Sequence, residues 1–111
     1  MSQTLETLEV NIKAATRTAE LGKSLDRLSR NKDFKSLILD AYFEKEAIRL
    51  VTLKGDPNMQ GSDSQEALLK QMDAIGGLRQ YFSATLQLAR MAEKALVDDE
   101  NTRDEVYAEE V

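Results

Sequence analysis

The chain has no cysteine, no histidine and no tryptophan, a single proline, and only three Tyr and three Phe in 111 residues. Each absence closes off a class of chemistry. Without cysteine there is no disulfide framework, no thiolate metal site and no cysteine nucleophile, and a reducing compartment fits this usage. Without histidine the commonest metal ligand is gone, along with the usual general base near neutral pH and every Ser-His or Cys-His arrangement. Few aromatic rings leave a core to be built from Leu, Ile, Ala and Met. No run of about 18 apolar residues occurs, so no membrane partner is expected. The opening MSQTLETLEV has no basic stretch followed by a long apolar one, and the chain reads as soluble and not exported.

What is present is a helical balance: 41% hydrophobic and 32% charged residues, with a net charge of −5. That composition supports a folded chain rather than a disordered one. The length fits one domain, able to fold alone but with much to gain from self-association if it is thin.

Leu5, Leu8, Ile12, Ala15, Ala19 and Gly22 recur at three and four residues, which keeps one narrow stripe on a helix. Ser2 or Thr4 is placed to cap its start, with Glu6 and Glu9 near the positive end of its dipole. The stripe then changes phase to Leu21, Leu25 and Leu28, as when a helix meets a different neighbour. A seam this short serves packing within its own domain as well as pairing with a second chain.

A polar run from Ser29 to Asp33 follows, offering Asn31 or Asp33 as the N-cap of a second helix. Phe34, Leu37, Ile38, Ala41, Tyr42, Ile48 and Val51, with Phe43, Ala47 and Leu50, make an apolar surface wider than one stripe. This helix is therefore expected at the centre, with neighbours on two sides. It ends at Lys54-Gly55-Asp56-Pro57, where a basic last turn meets a glycine suited to the left-handed cap conformation and a proline just beyond.

The third helix opens near Ser62 or Asp63, where Ser62 with Gln65, or Asp63 with Glu66, has capping-box spacing. Leu68, Leu69, Met72, Ile75, Leu78, Phe82, Leu86, Ala89 and Leu96 carry it on as one long helix or as two pieces joined at Gly76-Gly77. Each mid-helix glycine costs about 1 kcal/mol relative to Ala. No proline accompanies the pair, which favours close approach of another backbone over a kink. The fold expected is all-α: an antiparallel bundle of three long helices, over about 4–30, 33–54 and 63–97. Residues 1–97 form the helical domain and 98–111 an acidic tail. That last segment, DDENTRDEVYAEEV, holds seven acidic residues and one Arg, a net of −6. It reads as solvated, with Val106 and Tyr107 as the residues by which it would dock on a partner.

Candidate sites are few. DPNMQGSDSQEA, from Asp56 to Ala67, resembles an EF-hand calcium loop, with Asn58 third and Gly61 sixth. The twelfth position, which should be a bidentate Glu, is Ala67. The same letters read better as a helix stop, a bend and a helix start. Asp40, Glu44 and Glu46 suggest a carboxylate metal site, but without histidine they read as a solvated helix face, and no metal or cofactor is expected. Basic residues gather in the first half, where Lys23, Arg27 and Arg30 share a helix face and Lys32 follows. That patch suits phosphates, an acidic tail, or solvent. No nucleophile has a neighbouring base, so no enzyme is expected.

The run NKDFKSLILDAYFEKEAIRLVTLKGDPNMQ, then QMDAIGGLRQYF and the acidic end after MAEKAL, resembles a group of small helical proteins of tailed bacteriophages. Asp33-Phe34, Tyr42-Phe43, Arg49-Leu50 and Asp56-Pro57 are its most specific parts. The resemblance implies action in the host cytoplasm or in the virion, through a phage or host protein, and supplies no catalytic residues. The function expected is non-enzymatic protein–protein interaction by a homo-oligomer. The alternative is a nucleic-acid-associated regulator using Lys23, Arg27, Arg30 and Lys32.

Overall fold

In a computed structural model the backbone is described for residues 2–110 and the side chains for 4–109. Helix α1 spans Ser2–Ser29. Helix α2 covers residues 32–54 in three consecutive parts: an α-helical first turn at Lys32–Phe34, a π-helical stretch at Lys35–Glu46, and an α-helix at Ala47–Lys54. A short 3-10 turn, Pro57–Met59, leads to helix α3, Ser62–Glu110. Among the described residues there is no strand, and no helix is long and apolar enough to cross a membrane. The chain forms two compact units, residues 1–26 with 84–111 and residues 27–83.

In the first unit α1 runs antiparallel to the later part of α3, since Gly22 meets Ala89 while Glu9 meets Tyr107. The expected stripe from Leu5 to Gly22 is the face α1 covers, and Ala19 and Gly22 are its most buried members. Opposite them Ala89 and Ala92 are buried. These small residues let the two backbones come close. A Cβ on Gly22 would overlap the Cβ of Ala89, so the absent side chain is a steric requirement here.

The second unit holds the larger core. Phe43 and Leu50 from α2 pack on Leu68 and Ile75 from α3, flanked by Ile38, Leu39, Tyr42, Leu53, Met72 and Phe82. Leu50 is fully buried. The Phe82 ring sits with its centroid 5.8 Å from both Phe34 and Phe43, and the Arg79 guanidinium lies 5.4 Å over the Phe43 ring. The π geometry explains which residues reach this core. Phe34, Leu39, Phe43 and Ala47 follow at five, four and four residues. That spacing would wind around an α-helix but stays in line at about 4.4 residues per turn.

Several sequence expectations are corrected here. The surface of α2 does not contact neighbours on two sides, because Leu37, Ile48 and Val51 remain exposed. Wide turns gather the remaining apolar residues onto one face instead. Gly55 takes ordinary right-handed geometry, φ −86° and ψ −5°. Helix α3 is unbroken at Gly76-Gly77, and a Cβ on either glycine would meet nothing within 4 Å, so among the described residues no other backbone approaches there. What changes at the pair is phase. From Leu68 to Thr85 the covered positions are Leu68, Met72, Ile75, Leu78, Phe82 and Thr85, and the three-residue step occurs twice running, from Met72 to Ile75 and from Ile75 across the glycines to Leu78. Finally, α3 does not stop near 97, because the acidic residues 98–110 continue it as helix.

The glycines make opposite predictions. Gly76→Ala and Gly77→Ala should each stabilise the fold by about 0.5–1 kcal/mol in urea unfolding followed by circular dichroism, since a methyl group finds open space and a better helix former is installed. Gly22→Ala should destabilise it by about 1–3 kcal/mol despite the same gain in propensity, because α1 and α3 must move apart.

Candidate functional site

The turn between α2 and α3 is built from the letters that mimic a metal loop. The Asp56 Oδ1 accepts from the Asn58 backbone N–H at 2.8 Å, as the cap of the Pro57–Met59 turn. The Gln60 side-chain amide donates to the carbonyls of Lys54 and Asp56, at 2.9 and 2.7 Å. Gln65 does not close a capping box with Ser62. Its amide reaches back to the carbonyls of Lys54 and Met59, at 3.1 and 2.8 Å. Two glutamines thus converge on the Lys54 carbonyl left open where α2 ends and tie it to the Asp56 and Met59 carbonyls of the turn.

Elsewhere the carboxylates stand apart. Asp40 and Glu44 are exposed, and Glu46 accepts from the Arg49 Nε at 2.8 Å and from a second nitrogen of the same guanidinium. That hydrogen bond, and then the attraction of the two charges, hold the Arg49 guanidinium above its ordinary value. Among the described residues no three acidic side chains gather to hold a metal ion. The pair rims a shallow groove whose floor is Leu50 and Ile75.

The basic residues do not form one free patch. Lys23 lies 3.5 Å from Glu20 on the same exposed face of α1 and belongs to the first unit. Arg27, Arg30 and Lys32 belong to the second unit, where Arg27 and Arg30 each have an interaction partner. Lys32 is exposed at the first position of α2. Val106 is half-buried in the first unit, whereas Tyr107 is 44% exposed and donates its hydroxyl to the Glu9 Oε1 at 3.3 Å. The acidic end of α3 therefore lies beside Glu9 of α1 within its unit, gathering negative charge there.

The most extensive feature was not singled out from the sequence. Val10 and Leu21 on α1, Leu37, Ile48 and Val51 on α2, and Leu88, Met91 and Val97 on α3 are each more than half exposed. On α1 the sequence signal was overlaid by another. The Leu5 to Gly22 stripe hides Val10 on the other side of the helix, and Leu21, expected to begin a shifted stripe with Leu25 and Leu28, is exposed together with Leu28, while Leu25 is half-buried.

Comparison with protein-family descriptions, with curated proteins and with solved structures finds no match.

A calorimetric titration with calcium should give heats of dilution only, because Asp56 and the glutamines already serve the turn; appreciable binding heat would reverse that reading. Gln65→Leu should cost about 1 kcal/mol of stability in urea, since it leaves the Met59 carbonyl without its side-chain donor while the Lys54 carbonyl keeps that of Gln60.

Proposed function

We propose that this chain is a non-enzymatic interaction protein of a bacteriophage that works as a homo-oligomer and engages a phage or host protein through its helix faces. The observation that carries this reading is the incomplete burial. Among the described residues, those buried are mostly small or lie in one cluster around Leu50, while large apolar side chains stay exposed on all three helices. A fold of this kind gains stability when another chain covers those faces. The helices are proposed to act as an antiparallel bundle of three, each pairing already having that sense within its own unit. The resemblance to small tailed-phage proteins supports a place in the host cytoplasm or in the virion. The Lys23–Glu20 pair partly neutralises the basic face, which sets the nucleic-acid reading behind this one.

Size-exclusion chromatography with light scattering should give a mass above that of the 12.5 kDa chain, rising with protein concentration. A strict monomer at high concentration would defeat self-association.

A further inference from the structure

The exposed side of α1 carries a second seam. Val10, Ala14, Arg17 and Leu21 recur at four, three and four residues, and all four are exposed. In heptad terms they occupy alternating d and a positions, on the side away from the Leu5 to Gly22 stripe. Beside this seam, at the g position of each successive heptad, stand Glu6, Lys13, Glu20 and Arg27. Their signs alternate along the helix.

That alternation is informative because the pairing rules differ with helix direction. In a parallel pair, g residues face e residues, and here the corresponding e positions are Asn11, Thr18 and Leu25, which are uncharged. In an antiparallel pair, g faces g. Reversing the order of − + − + against itself places each charge opposite its complement in one register only. In that register Lys13 faces Glu20 of a second copy, and Glu20 faces its Lys13. The same register sets Val10 against Leu21 and Ala14 against Arg17, whose aliphatic stem can lie over the smaller residue. Apolar matching and charge matching thus select one arrangement independently.

We propose that two copies of this chain associate through α1, antiparallel about a two-fold axis, with Val10 packed on Leu21 and Lys13 paired with Glu20 across the interface. The proposal rests on the reading that the chain self-associates, and it names the face and the direction. A two-fold interface is self-complementary, so each of these contacts occurs twice. The Lys23–Glu20 pair does not compete strongly. Both side chains are more than half exposed, and a surface pair of this kind leaves the Glu20 carboxylate free to serve a closer cation.

Sedimentation equilibrium on charge-reversed full-length chains tests this. Lys13→Glu and Glu20→Lys should each weaken self-association by about tenfold, because each puts like charges together at two symmetric places. An equimolar mixture of the two variants should recover wild-type affinity as a mixed dimer, and so should the double variant Lys13→Glu/Glu20→Lys. The absence of cysteine allows a second test. Val10→Cys and Leu21→Cys chains, mixed under mild oxidant, should form a mixed disulfide-linked dimer. Neither should cross-link to itself, since identical positions lie about 16 Å apart along the axis. Wild-type association that is indifferent to the reversals would overturn this pairing and leave self-association standing. Self-cross-linking of Val10→Cys alone would show a parallel pair and overturn it too. A wild type that is monomeric throughout, or whose α1 face is covered only by a different protein, would remove both the pairing and the self-association beneath it.

Discussion

A helix packed against one neighbour covers one stripe of its circumference, and an apolar residue elsewhere must wait for another surface. This limit governs the molecule. In the first unit the covered stripe is filled with Ala19, Gly22, Ala89 and Ala92, so the backbones lie close but little large apolar area is removed from water. In the second unit the stripe is filled with Phe43, Leu50, Leu68 and Ile75, and there a true core forms. The two units solve the same problem in opposite ways, one by proximity and one by volume. Neither covers the outer faces, and the functional reading grows from what is left uncovered.

How much of this was legible in the residues depends on the kind of signal. Helix starts and stops were, because they rest on local chemistry. Asn31 accepts from the Phe34 backbone N–H at 3.0 Å as the cap of α2, and α3 opens at Ser62, where it was expected to start, although without the expected capping box. The covered face of α1 was also legible, since Leu5 to Gly22 keeps a strict spacing. The extent of α3 was not. Asp98 to Glu110 reads as a solvated tail because like charges repel, yet its four glutamates are good helix formers and the segment follows a helix already under way.

The surface of α2 was misread for a different reason. A wide apolar pattern on a helix of 3.6 residues per turn must face two neighbours, and that inference holds only if the turn is an α turn. Over Lys35–Glu46 it is not. The outer seam of α1 was hidden in turn by the regularity of the inner one. Its meaning lies less in the apolar residues, which are sparse, than in the order of four charges, and charge order becomes readable only once burial shows which side of the helix faces out.

The wide turns of α2 also act as a length adaptor. Phe34 meets Phe82, and at the other end the carbonyl of Lys54 meets the side chain of Gln65. Twenty residues along α2 are thus matched to seventeen along α3. Two plain α-helices laid side by side would fall out of step by three residues, about 4.5 Å, and the aromatic contact at one end would be lost when the turn at the other was made. Winding more residues into each turn takes up the difference. The second unit is in this sense measured by α3 and tailored by α2, and the surplus in the shorter span is carried as girth.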